Sequence, residues 1–343
     1  MQITIVGVGA IGGTIGAYLV RAGHAVLFVD TVAEHVAAIN EHGLTIRSWE
    51  EEFTVAAPAI GPSELRGPLG LVLLAVKAQH TTAALEPIAP LLADDGMIVS
   101  LQNGLNEQTI AAAVGAARTV GCLVNFSADY LEPGLIHYGG PGAVTLGELD
   151  GRLTPRLDLL RGLLSAWGEV NLTQNIWGYL WGKLGYANML FATALADASM
   201  AEVIDRYRPL MVELAAEVYE VAERLDIRPE PFDAVEPALY YPRVGRDEAA
   251  VTQALDALVE RRKRDQKQRS GIWRDIMVRR RRSEIDDQLV PVVRHGEALG
   301  LPMPLTRLVV AQIHVLEQGL AAPAWSHLDA LEQLRRNNLA AEA

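Results

Sequence analysis

Short apolar runs alternate with amphipathic stretches through the first half of the chain. Ile3 to Val6, Ala25 to Val29, Leu71 to Val76 and Met97 to Leu101 are strand-length blocks of aliphatic and β-branched residues. Between them, Ile11 to Ala22 and Thr82 to Leu92 carry apolar residues at helical spacing. Strand and helix in alternation require crossover connections, and these build a parallel sheet with helices on its faces. From Leu123 to Leu149 the texture changes. Pro133-Gly134 and Gly139-Gly140-Pro141-Gly142 separate short apolar runs, which predicts antiparallel strands finishing the same sheet. Beyond Asn175 the strand signal ends. Ile176 to Ala196, Ala201 to Leu225, Glu248 to Lys267, Ile285 to Leu299 and Thr306 to Gly319 are predicted helices, broken at Arg228-Pro229-Glu230-Pro231 and Gly300-Leu301-Pro302-Met303-Pro304. The pattern predicts a doubly wound, mainly parallel α/β domain over 1–174, an all-α domain over 175–335 and a frayed tail over 336–343.

Size agrees with two domains, since 343 residues exceed one typical core. Half of the residues are hydrophobic, yet no run approaches the ~18 uninterrupted apolar residues of a membrane span. Met1 leads straight into a strand, so no signal peptide is expected. The single cysteine, Cys122, sits inside Val120-Gly121-Cys122-Leu123-Val124 and reads as a small buried apolar residue. One cysteine also fits a reducing, cytoplasmic setting. A net charge of −12 argues against a nucleic-acid partner. The basic run Arg261-Arg262-Lys263-Arg264, with Lys267, Arg269 and Arg279 to Arg282, reads as a solvated helical face paired with Glu260, Asp265, Asp275 and Glu284. No membrane partner and no metal site are expected.

The chemistry begins at the first turn. After Ile3 to Val6 comes Gly7-Val8-Gly9-Ala10-Ile11-Gly12, and the second strand closes on Asp30. Gly7 suits the tight strand-to-helix turn, Gly9 lets the backbone approach a pyrophosphate, and Gly12 lets the helix approach the sheet. The amides at Ala10 and Ile11 open the helix and carry its positive end. The motif therefore predicts a Rossmann dinucleotide site. Asp30 stands near the ~20-residue offset of the acid that meets the adenosine ribose. A carboxylate there accepts from ribose hydroxyls and repels a 2′-phosphate, which predicts NAD(H) in preference to NADP(H). A local role for Asp30 at a strand end stays open.

Ligands of open parallel sheets lie beyond the carboxyl ends of the strands. Two turns there carry polar residues, Val76-Lys77-Ala78 and Leu101-Gln102-Asn103-Gly104-Leu105. In the helical half, Ile176-Trp177-Gly178-Tyr179-Leu180-Trp181-Gly182-Lys183-Leu184 places a lysine in an aromatic, apolar helix. Burial favours neutral lysine and suits it to proton transfer, whereas a snorkelling lysine is the ordinary alternative. Ser283-Glu284-Ile285-Asp286 offers candidate carboxylate partners.

In this order and at these intervals, the glycine turn, Lys77, Gln102-Asn103-Gly104, Trp181-Gly182-Lys183-Leu184 and Glu284-Ile285-Asp286 resemble the ketopantoate reductase (2-dehydropantoate 2-reductase) family from Met1 to about Leu316. The resemblance implies a Rossmann domain, a helical domain and an active site in the cleft between them, within pantothenate biosynthesis. It implies Lys183 as the general acid, with Asn103 and Lys77 beside the nicotinamide and the substrate. It also implies that Glu284 positions the ribose and the reactive groups, and that Ser270 binds the substrate carboxylate. Arg274 is a second candidate for that carboxylate by its charge.

Three departures accompany the likeness. Asp30-Thr31 stands where the family has an arginine for the 2′-phosphate. The fourth and eighth positions after Lys183, asparagines in the family, are Ala187 and Phe191, with Asn188 one step away as the remaining candidate substrate contact. The stretch from Tyr240 to Arg282 is longer and more basic than is typical. The reading is an NAD(H)-dependent reductase or dehydrogenase of a 2-oxo acid and its 2-hydroxy acid. An opine-type or 6-phosphogluconate-type dehydrogenase and a nonenzymatic NAD-binding sensor are the alternatives. Apolar helices such as Met189 to Leu195 and Val309 to Leu316 are compatible with a homodimer and equally with core packing.

Overall fold

A computed structural model describes residues 2–264 and 267–342, and side chains as far as residue 338; Asp265, one of the expected acidic partners, lies outside the described residues. The chain divides into two compact units, Met1–Ile176 and Trp177–Ala343.

The first unit runs β1 (Ile3–Val6), α1 (Ala10–Arg21), β2 (Val26–Val29), α2 (Ala33–His42), β3 (Leu44–Arg47), β4 (Glu52–Val55), β5 (Ala59–Ile60), β6 (Leu69–Leu74), α3 (Thr81–Ile88), β7 (Leu92–Ser100), α4 (Asn106–Val114), β8 (Thr119–Asn125), β9 (Ala128–Glu132), β10 (Leu135–Tyr138), β11 (Ala143–Glu148), α5 (Pro155–Leu164) and β12 (Glu169–Leu172). Eight strands form one sheet in the order β12-β11-β8-β7-β6-β1-β2-β5. All pairs in it are parallel except β8 with β11. The strand order reverses at β1, so the crevice between the ends of β1 and β6 is the switch point at which such sheets bind ligands.

Residues 123–149 were expected to complete this sheet, and only β8 and β11 do so. A second sheet, β4-β3-β10-β9, takes the rest. Its apolar residues Leu44, Ile46 and Ile136 are buried on the far side of α1, which gives that helix two sheets to pack on. Glycines make the double contact possible. A Cβ on Gly16 would lie 2.4 Å from the Phe28 ring of the main sheet, and one on Gly13 would lie 2.3 Å from Ile136 Cδ1 of the second. Cys122 is fully buried in the main core, as its apolar setting requires.

The second unit is helical: α6 (Ile176–Thr193), α7 (Met200–Arg206), α8 (Arg208–Arg224), α9 (Glu248–Arg264), α10 (Gly271–Met277), α11 (Ile285–Ala298), α12 (Pro304–Glu317) and α13 (Trp325–Glu342). The single helix expected over 201–225 is two, divided at Tyr207, because Pro209 has no N–H for the turn before it. Helix α13 continues into the expected tail as far as Glu342 and is anchored through its first half. Leu328 and Leu331 are fully buried, Trp325 stacks on Tyr207, and Tyr207 Oη donates to Asp329 at 2.6 Å. Helix α8 is buried nearly all round, and its Glu217 caps α12 by accepting from the N–H groups of Leu305 and Thr306 at 3.0 and 2.7 Å.

The basic segment is largely paired. Arg261 pairs with Asp233, Lys263 with Glu260 at 2.8 Å, Arg269 with Asp197 at 2.9 Å, and Arg279 and Arg281 both with Asp275 at 2.9 and 2.8 Å. No described helix is long and apolar enough to cross a membrane.

Candidate active site

The turn after β1 is shaped by what its glycines touch. Gly7 has φ +89°, a conformation that a side chain disfavours, and a Cβ on it would fall 2.7 Å from Val76 N. A Cβ on Gly12 would fall 2.1 Å from Gly7 O. Above Gly9, by contrast, the same construction meets nothing within 4 Å. The result is a backbone cradle open on the Gly9 side and closed against β6 on the other. Gly9 caps α1 without a side-chain hydrogen bond. Ala10 and Ile11 follow as first-turn residues, whose amides have no acceptor within the helix. An open cradle with first-turn amides fits a pyrophosphate.

Asp30 closes the site at the end of β2. Its Oδ2 accepts from Val8 N at 2.7 Å and its Oδ1 from Val32 N at 2.9 Å. The acid is thus fixed against the glycine turn as well as against its own loop. Each oxygen retains a further lone pair for a ribose hydroxyl.

The turns after β6 and β7 are joined by a buried side-chain network. Gln102 Nε2 donates to Val76 O at 2.9 Å and to Thr81 Oγ1 at 2.7 Å. Thr81 Oγ1 lies 2.7 Å from Ala78 O and 3.0 Å from Asn106 Oδ1, and Asn106 Nδ2 donates to Asn103 O at 2.7 Å. These bonds hold the backbone on both sides of Lys77 and at Asn103. Lys77 is half-buried and Asn103 exposed. Beneath them lies Glu107 in the first turn of α4, fully buried, with no hydrogen-bond partner for either carboxylate oxygen among the described residues. Burial pushes its carboxyl up to about 7, and the nearby Ser100 hydroxyl and Cys122 backbone offset this only in part.

In the helical unit, Lys183 is half-buried on α6 between two glycines. A Cβ on Gly182 would fall 2.5 Å from Glu230 O, and one on Gly185 would fall 2.2 Å from the Tyr219 ring. Tyr219 Oη donates to Gly182 O at 2.9 Å, and Glu230 N to Gly178 O at 2.9 Å. The helix that carries the lysine is therefore clamped from behind.

Glu284 is buried at the N-cap of α11. Ser270, nearly buried, caps α10 by accepting from Trp273 N at 3.1 Å, and Arg274 is half-buried one turn further on. Asn188, the remaining candidate substrate contact, also has a structural setting. It is fully buried, and its Nδ2 donates to Leu214 O at 2.8 Å and Thr306 Oγ1 at 2.9 Å, so it stitches α6 to α8 and α12. Sequence reasoning noted Gln102 without its role and missed Thr81, Asn106, Glu107 and His35. No local pattern marks these residues: Thr81 and His35 bond to groups of other elements, and the burial of Asn106 and Glu107 is set by what packs over their helix.

The switch-point crevice, the glycine cradle and the acid after β2 define a dinucleotide-binding fold. Models of the ketopantoate reductase PanE/ApbA family match residues 3–151, and those of its C-terminal part match residues 175–317. The chain belongs to this family and is an NAD(P)-dependent oxidoreductase of the 2-dehydropantoate 2-reductase kind. It is 30% identical over 256 residues to a 2-dehydropantoate 2-reductase of Mesorhizobium japonicum, covering 66% of this chain and 78% of that one. A PanE/ApbA family ketopantoate reductase from Ralstonia eutropha JMP134 superposes with a TM-score of 0.78 at 26% identity, over 93% of this chain and 99% of that one. D-mandelate dehydrogenase, solved with NADH and anilino(oxo)acetate, shares the fold at a TM-score of 0.78 and 24% identity, over 93% and 99% of the two chains.

Proposed function

We propose that the protein interconverts a 2-oxo acid and its 2-hydroxy acid with NAD(H), ketopantoate and pantoate or a close analogue being the pair, and that Lys183 is the general acid. The observation that carries this reading is the open cradle at Gly9 with the Asp30 carboxylate fixed beside it. A fixed carboxylate at that place accepts from a ribose diol and repels a 2′-phosphate, which favours NAD over NADP. The nicotinamide, when bound, supplies the hydride in reduction and accepts it in oxidation.

Reduction of a carbonyl builds negative charge on its oxygen. The Lys183 ammonium stabilises that charge and gives it a proton, and in the reverse direction the neutral amine takes the proton of the alcohol. Asn103 and Lys77, on turns tied together through Gln102, hold the nicotinamide side and the substrate. Glu284 orients the ribose and the reacting groups, while Ser270 and Arg274 take the substrate carboxylate. Ala187, half-buried one helical turn beyond Lys183, favours a second reading in which the substrate carries a larger apolar side chain than ketopantoate.

Steady-state reduction of a panel of 2-oxo acids with each cofactor tests the proposal. NADH is expected to exceed NADPH in kcat/KM by about tenfold or more, as one repelled phosphate implies. A preference for NADPH overturns the role of Asp30. Cofactor binding without turnover on any 2-oxo acid overturns the reaction.

A further inference from the structure

We propose that His35 is a positioning residue for the cofactor turn: it ties the Val8 carbonyl to the second sheet and so keeps the amides after Gly9 aimed at a pyrophosphate. The proposal rests on the dinucleotide reading of that turn.

His35 lies on α2 and is 1% exposed. Its Nε2 is 2.8 Å from Val8 O, and Gly134 N is 2.9 Å from its Nδ1. A backbone N–H can only donate, so Nδ1 must carry a lone pair. The ring hydrogen is then on Nε2, where it donates to Val8 O. Only this neutral tautomer makes both bonds; a doubly protonated ring would set two N–H groups against each other at Gly134.

Val8 thereby has both of its backbone polar groups held by side chains, the N–H by Asp30 and the carbonyl by His35. The next residue, Gly9, has no side chain to restrict it, and ordering a glycine costs more entropy than ordering any other residue. A two-point hold on Val8 fixes the peptide that enters Gly9 before any ligand arrives, which is preorganisation of the anion-binding amides. The far end of the link is equally firm. Gly134 sits between β9 and β10, and its carbonyl accepts from Thr45 N at 2.8 Å, inside the second sheet. Tyr130 of β9 covers the imidazole edge-on, with ring centroids 5.0 Å apart and planes at 77°. On this account the second sheet clamps the cofactor turn through His35.

NADH titrations followed by protein fluorescence, with kinetics alongside, test the proposal on full-length wild type, His35→Leu and His35→Gln. His35→Leu is expected to weaken NADH about tenfold or more while kcat at saturating NADH stays within about twofold. His35→Gln, which keeps a donor within reach of Val8 O, is expected to recover most of that affinity. A folded His35→Leu protein with wild-type NADH affinity overturns the proposal. If His35→Leu does not fold, long-range proton–nitrogen NMR of the wild type decides. The Nε2–H tautomer, with the lone pair on Nδ1, is expected, and the Nδ1–H form overturns the assignment. Failure of the wild type to bind either NADH or NADPH would instead remove the dinucleotide reading itself.

Discussion

The turn after β1 and the turn after β7 both present backbone beyond a parallel strand, and they are held in opposite ways. The first relies on glycines pressed against neighbouring backbone and on hooks from distant elements, Asp30 at the end of β2 and His35 on α2. Val8, at its centre, has both backbone polar groups paired. The second relies on side chains of its own neighbourhood, Gln102, Thr81 and Asn106, and beneath them it leaves the Glu107 carboxylate and the Gln102 Oε1 buried without partners among the described residues. The two turns are therefore vulnerable to different changes. The cradle tolerates no added volume, whereas the amide turn is sensitive to charge.

The largest effect should come from volume in the cradle. Gly12→Val places a branched side chain where even a Cβ meets Gly7 O at 2.1 Å, so the helix must leave the sheet. A loss of roughly 3 kcal/mol or more in urea unfolding is expected, together with loss of NADH binding. A variant that unfolds like wild type and binds NADH would break the contrast between the two turns.

A second effect, dependent on pH, is expected at Glu107. Its carboxyl is raised from an ordinary value of 4.5 to about 7 by burial. Below pH 4.5 the group is protonated in both the folded and the unfolded chain and has no influence on stability. Between 4.5 and 7 the folded chain keeps a proton that the unfolded chain has lost, so stability falls as pH rises; above 7 the loss is complete. The size is about 3 kcal/mol. Glu107→Gln removes the titration, so its advantage over wild type should grow from pH 4.5 to 8 in urea melts. Parallel stability profiles would show that Glu107 ionises without penalty.

Much of the first turn was legible in the sequence because its determinants are local: Gly7, Gly9 and Gly12 act through absent side chains, and Asp30 follows a recognisable strand. The alternation of strands and helices likewise gave the parallel order around β1 and β6. The second sheet was hidden because β3 and β4 are four residues each and β3 pairs with β10, Leu135–Tyr138, about ninety residues later. His35 was hidden for the same reason, since its partners lie 27 and 99 residues away. The setting of Asn188 was not legible, because periodicity places a residue on a helix face but does not say what covers that face; here α8 and α12 cover it. Lys183 was legible as an unusual lysine, and the glycines on either side, which let Tyr219 and Glu230 approach, explain why its helix is so small and aromatic there.

In the proposed NAD(H)-dependent reduction of a 2-oxo acid, Lys183 supplies the proton. Turnover and NADH affinity of Lys183→Ala, measured together on the best 2-oxo acid of the panel, test it most directly. A fall in kcat of about a thousandfold is expected, with NADH affinity changed by less than about twofold. A kcat near that of the wild type would contradict it.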